Sequence, residues 1–304
     1  MERASSGSPR RGSASATGYI ELPEGWRRTG ARGLGPFVTK EAFRLPDGEL
    51  LTWESRWHRK HPHFVSVKST WWAWRAMAWW IGVLFAVGSI CFALGSFPPY
   101  ATRVGTDTDN WTFFIGSIFF TTASFLQYYE TASTSTALVD GRRQGPRALL
   151  RIQHHRIDWW AAAVQFVGTL FFNRTTFSAL VVGLGVASAH HPIWRPDALG
   201  SVCFLVSSWL AWAEECHGPW AWRPGRYSWW ITALNLVGSV AFGVSAVASF
   251  VEPNGQLLSL ALTNLGTFVG AVCFLAGAVL LLPERTREGP DVEEDPARPV
   301  GATT

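Results

Sequence analysis

The side chains best suited to acid–base or metal chemistry stand together once, at Glu214-Glu215-Cys216-His217. Carboxylate, thiol and imidazole are the ligand types of a zinc site, but adjacent residues at one helix end point in different directions and do not converge on one ion. His154-His155 and His190-His191 lack a carboxylate at metalloprotease spacing, and the His58, His61, His63 run reads as a basic interfacial segment. The chain contains no nucleophile elbow, phosphate loop, dinucleotide glycine fingerprint or phosphatase-like paired carboxylates. The sequence therefore assigns no catalytic residue, cofactor or metal.

A second set of charges recurs instead of clustering. Arg75, Arg156 and Arg226 each stand three or four residues before a tryptophan pair, and Glu130, Glu214 and Glu284 each close an apolar run. Both signs sit at the wrong helix end for the macrodipole, which favours anions at the N-terminus and cations at the C-terminus. Such misplacement predicts mutual compensation, a ring of Arg–Glu pairs at the inner membrane surface; the alternative is solvated anchors that snorkel. Deeper polar residues are few. Gln165 and Asn235 share one column, six residues past the first Trp of their pair, and Asn264 stands six before Gly270. Asn173-Arg174 lies about 22 Å along its helix, near the outer headgroups, where an arginine snorkels.

The elements that must position these groups follow from composition. A soluble chain of 304 residues would form about two domains, yet 48% of this one is hydrophobic and only 16% charged, with 18 Trp and 29 Gly; soluble proteins carry about 25% charge. The mean hydropathy is just +0.10, because residues 1–70 and 285–304 are hydrophilic. Apolar content is thus concentrated in six runs, about 76–97, 111–130, 158–178, 197–214, 228–250 and 259–283. Each approaches the roughly 20 residues needed to cross a bilayer. The expected fold class is all-α transmembrane: a disordered tail over 1–17, a cytoplasmic juxtamembrane segment over 18–70 with a β-hairpin around Pro46-Asp47-Gly48, a six-helix transmembrane domain over 71–284, and a disordered tail over 285–304.

Loop charge sets the expected orientation. The 131–157 and 215–227 loops carry Arg142, Arg143, Arg147, Arg151, Arg156, Arg223 and Arg226, whereas the other three hold Arg103 and Arg195. By the positive-inside rule both termini are cytoplasmic, which places the chain in the plasma membrane as a multi-pass protein. The net charge of +4 is spread outside the apolar runs, so it is no nucleic-acid footprint. The 146–158 stretch joins apolar and basic residues and suits contact with anionic lipid. Four cysteines, three within apolar runs, do not make a disulfide framework.

The runs repeat in pairs. Trp79-Trp80, Trp159-Trp160 and Trp229-Trp230 open the odd runs, and nine residues on stand Gly88, Gly168 and Gly238, each followed at +4 by Phe92, Phe172 or Phe242. In the even runs Gly116, Gly200 and Gly270 are followed at +4 by Phe120, Phe204 and Phe274, and at +14 by the three glutamates. Three parallel two-helix hairpins result, with the glycines as close-packing points.

The segment Asn264-Leu265-Gly266-Thr267 through Phe274 to Pro283-Glu284-Arg285, with Asn235 in the partner helix, resembles the YrhK-type family of uncharacterised two-helix membrane domains. That resemblance implies a membrane location and supplies no activity. Three hairpins are also similar in topology to the mitochondrial carriers, whose proline-acid-base signature is absent here. Three functions remain open: a structural or interaction role without catalysis, with the lipid bilayer as the one evident partner; a small-solute or ion transporter lined by Gln165, Asn235 and Asn264; or an interfacial lipid enzyme using Glu214, Cys216 and His217.

Overall fold

The computed structural model describes residues 22, 24–60, 71–134, 149–150, 152–183, 193–252 and 257–287. The expected tail at 1–17, His61, His63, His190-His191, Arg142, Arg143, Arg147 and Arg151 lie outside them. The last helix runs on to Arg287, past the expected start of the C-terminal tail at 285, and residues 288–304 lie outside the described residues.

A small antiparallel sheet comes first, in the order β1 (Arg27–Leu34), β2 (Phe37–Arg44), β3 (Leu50–Glu54). The β2–β3 turn closes with Leu45 N–H donating to the Glu49 carbonyl at 2.9 Å and Gly48 N–H to the Leu45 carbonyl at 3.0 Å. Gly48 sits at φ 91°, where a side chain would be strained. β1 pairs Arg28 with Phe43 and Leu34 with Phe37. A six-residue helix, α1 (Ser55–Lys60), follows β3 directly.

Six long helices follow among the described residues: α2 (Met77–Gly95), α4 (Thr106–Ser133), α5 (Ile157–Gly183), α6 (Trp194–Cys216), α7 (Tyr227–Ala248) and α8 (Leu260–Arg287), with a short α3 (Pro98–Val104) between the first two. Of these, α2, α7 and α8 up to Glu284 are long and apolar enough to cross a membrane. The expectation of six such runs is met by three. At 28, 27 and 23 residues, α4, α5 and α6 are no shorter than α7, but Asp107, Asp109 and Gln127, then Gln165, Asn173 and Arg174, then Asp197, Glu214 and Glu215 interrupt their apolar character.

Each long helix packs on two others, α2 on α4, α4 on α5, α5 on α6, α6 on α7, α7 on α8 and α8 back on α2. The six therefore close a ring. Its interior is written in one five-residue word that occurs in every long helix: Gly88-Ser-Ile-Cys-Phe92, Gly116-Ser-Ile-Phe-Phe120, Gly168-Thr-Leu-Phe-Phe172, Gly200-Ser-Val-Cys-Phe204, Gly238-Ser-Val-Ala-Phe242 and Gly270-Ala-Val-Cys-Phe274. The glycines meet in pairs within hairpins. A Cβ on Gly88 would lie 2.5 Å from the Phe120 ring and 3.0 Å from the Gly116 carbonyl oxygen, and the same contacts recur for Gly168 with Gly200 and Gly238 with Gly270. The third residue of each word, Ile90, Ile118, Leu170, Val202, Val240 or Val272, faces outward and is 42 to 58% exposed.

The six phenylalanines fill the axis as two stacked triangles. Phe92, Phe172 and Phe242 lie 6.0 to 6.5 Å apart, and Phe120, Phe204 and Phe274 lie 5.8 to 6.5 Å apart. Hairpin partners join the layers at 5.4, 4.9 and 5.7 Å, separations typical of favourable aromatic pairs.

The tryptophan pairs do more than mark helix starts. In each, the second indole N–H donates to the carbonyl six residues earlier: Trp80 to Trp74 at 2.8 Å, Trp160 to His154 at 3.1 Å and Trp230 to Pro224 at 2.9 Å. Each bond clamps the incoming loop onto the first helical turn.

Candidate functional site

The glutamates that close α4, α6 and α8 converge at the bundle end that carries α1. Glu130, Glu214 and Glu284 are 3, 2 and 3% exposed, so they are not solvated anchors. A buried carboxylate needs a partner of opposite charge. The sequence expectation drew those partners from Arg75, Arg156 and Arg226; the structure draws them from α1. Arg56 donates to Glu284 Oε1 from Nη2 at 2.7 Å and from Nε at 2.9 Å. Arg59 bridges Glu214 at 2.9 Å and Asp158 at 2.8 Å. Lys60 stands 3.5 Å from Glu130. Burial by itself would lower the Arg59 pKa; the Glu214 and Asp158 carboxylates outweigh it and hold the guanidinium above its usual value.

The three expected arginines have other work. Arg156 forks onto Asp158, with Nε 3.0 Å from Oδ1, and reaches the Thr134 carbonyl at 3.2 Å. Arg226 lies 3.5 Å from Glu215 and 3.8 Å from Glu54. Arg75 is exposed, its guanidinium 5.1 Å from the centre of the Trp74 ring. The physical reason is reach: α1 enters the ring from its open end, closer to all three carboxylates than residues that start the neighbouring helices.

Beneath α1 lies a cavity of about 70 Å³, between the charge cluster and the phenylalanine triangles. Gln165 and Asn235, which share a column, line it; Gln127, Ser207, Ser208 and Thr232 join them, and Phe274 forms part of its floor. Gln127 donates to Gln165 Oε1 at 3.2 Å. The Asn235 amide bonds no described residue, although its oxygen packs against Gly277. The other intramembrane candidates lie elsewhere. Asn173 donates to Thr121 Oγ1 at 2.7 Å, Arg174 is exposed, and Asn264 is half-buried at the start of α8, away from the cavity. Asn264, expected beside Gln165 and Asn235, thus does not line this cavity, and Gln127 does.

The Glu214–His217 cluster is taken up by docking. Ser55 donates to Glu214 at 2.7 Å, Ser228 to Glu215 at 2.8 Å, and His217 Nδ1 lies 3.0 Å from Thr39 Oγ1 of β2. Buried Cys216 points its thiol at the Ala221 carbonyl, 3.7 Å away. Among the described residues no three His, Cys, Asp or Glu side chains are placed to hold a metal ion. Compared with family models, curated proteins and solved structures, the chain matches none.

Proposed function

We propose that the chain is a multi-pass plasma-membrane protein of six spans, built as three pseudo-repeated hairpins, which passes a small polar solute or ion along its central axis and is closed in this conformation. Six spans are supported by the outward apolar residue that every long helix carries at the same place in its word. A ring of helices with that exterior is at home in hydrocarbon. The loop arginines support a cytoplasmic face for both termini and α1. The resemblance of the last hairpin to YrhK-type domains agrees with a membrane location.

The observation that carries the transport reading is Asn235. The Asn235 side chain is half-buried, bonds no described residue and faces a cavity of about 70 Å³, with room for about two waters. A wet half-axis floored by stacked phenylalanines is the arrangement of a path closed by a dry constriction. Packing alone would be served better by an apolar residue at this position. A purely structural role is favoured by the tight closure of the phenylalanine layers, and the test separates the two.

The protein reconstituted in vesicles should move at least one member of a panel of small ions and polar solutes faster than protein-free vesicles do. Asn235→Leu should abolish that flux, with thermal unfolding of the variant read alongside to show that it still folds. Background flux for wild type across the panel, or flux unaffected by Asn235→Leu, refutes the reading.

A further inference from the structure

Arg56, Arg59 and Lys60 stand at i, i+3 and i+4 of α1, a spacing that sets three cationic side chains on one helix face. Each meets a different hairpin: Lys60 the first at Glu130, Arg59 the second at Glu214 and Arg56 the third at Glu284. One short helix is thus matched to the threefold repetition of the bundle.

The charges match in number as well as in place. In the ion pairs among the described residues, the bundle end presents five carboxylates, Glu130, Asp158, Glu214, Glu215 and Glu284, against two guanidiniums of the bundle itself, Arg156 and Arg226. The excess of three negative charges equals the three cationic heads of α1. Within the sheet, Lys40 and Glu54 offset each other at 3.4 Å. With α1 seated, its three cations face these carboxylates; with α1 withdrawn, carboxylates outnumber cations in this set of described ion pairs above the cavity that Asn235 lines. Glu284 Oε2, fully buried, accepts no hydrogen bond among the described residues, so α1 does not exhaust the acceptor capacity there.

We propose that α1 is a tethered plug whose three cations occupy the entrance to the axis, and that the solute admitted when it undocks is a small inorganic cation. This rests on the axis being a solute path, and it adds the class of solute and the means of control. Walls of one sign with low-dielectric surroundings concentrate counter-ions. A cavity of about 70 Å³, with room for about two waters, accepts a monovalent metal ion with part of its shell and excludes larger organic cations.

The experiment uses the full chain in vesicles of zwitterionic lipid, reading potassium and chloride flux together with deuterium exchange of the 50–60 amides. Arg56→Gln with Glu284→Gln removes one pair without leaving a lone buried charge, so this double variant should fold. Arg59→Gln, which takes the bonded guanidinium from Glu214 and leaves Asp158 to Arg156, is the stronger perturbation. In both, exchange over 50–60 should speed up by about tenfold or more and potassium flux should rise with it, chloride flux staying at background. Exchange unchanged in both variants overturns the plug, as does faster exchange with potassium flux still at the wild-type level where that level is measurable. Chloride rising as much as potassium overturns the cation assignment. Faster exchange with no flux from any protein, wild type included, instead overturns the solute path itself and leaves ion-paired docking of α1 standing.

Discussion

The contact between α7 and α8 is set by Gly266, and replacing it with alanine tests that claim sharply. A Cβ at this position would stand 2.8 Å from the Ala241 carbonyl oxygen, 2.9 Å from Ser245 Cβ and 3.0 Å from the Ser245 nitrogen. Two of these are backbone atoms of α7, which no rotamer change can move aside, so the helices must part by several tenths of an ångström. That separation pulls on both bonds of Ser245, whose hydroxyl donates to the Thr263 carbonyl at 2.8 Å and meets Thr267 Oγ1 at 2.8 Å. Overpacking costs about 1–3 kcal/mol, two weakened hydrogen bonds about 0.5–1.5 kcal/mol each, and the better helix propensity of alanine returns about 1 kcal/mol. Gly266→Ala should therefore destabilise by about 1–5 kcal/mol. Gly243 is the control, since it lies on α7 and a Cβ there meets nothing within 4 Å; Gly243→Ala should gain up to about 1 kcal/mol. Equilibrium unfolding in mixed micelles, followed by tryptophan fluorescence, reads both. Equal stability of the two variants within about 0.5 kcal/mol would refute the argument that backbone approach at Gly266 fixes the helix spacing.

Phe204→Ala removes a ring that stacks on Phe172 at 4.9 Å and touches Phe274 at 5.8 Å; the same unfolding measurement should show a loss of about 3–5 kcal/mol, and a loss below about 1 kcal/mol would mean that the triangles are not close-packed. Trp160→Phe keeps the aromatic body but deletes the bond to His154, so it should cost about 1 kcal/mol and raise deuterium exchange in the preceding loop, whereas exchange identical to wild type would deny the clamp. The flux and stability of Asn235→Leu and the plug variants of α1 complete the set.

The bundle was readable in advance because close approach and register leave marks on residue type. Where two helix backbones nearly touch, glycine is required, and a ring four residues on fills the space that the glycine opens; both therefore recur at fixed spacing. The odd and even helices carry the same word, yet the sequence reading aligned odd with odd and even with even, and so found the columns without the two phenylalanine triangles they make. The turn at Pro46-Asp47-Gly48 announced β2 and β3. β1 escaped because Arg27–Leu34 is charged and glycine-rich with no alternation, its place being set by pairing with β2. α3 escaped because Pro98-Pro99 suggests a loop, although Pro is favoured in the first turn of a helix.

The partners of the glutamates were the least readable part, and the reason is separation along the chain. Arg59 and Glu214 are 155 residues apart, and Arg56 and Glu284 are 228 apart, so no local pattern joins them. A nearby arginine in each hairpin offered a simpler pairing, and the repeat favoured it. What sequence could supply was the i, i+3, i+4 spacing of Arg56, Arg59 and Lys60 set against a threefold column of glutamates, a match between two periodicities. That match also explains why the two interfaces differ in kind. Between helices, contact rests on glycine and phenylalanine, whose dispersion and shape complementarity do not depend on salt. Between α1 and the ring it rests on charge, where desolvation offsets much of the Coulomb gain and the net hold is modest. An element meant to stay would gain more from apolar side chains; one held by balanced charges can be exchanged for other cations, and that is the chemistry expected of a plug.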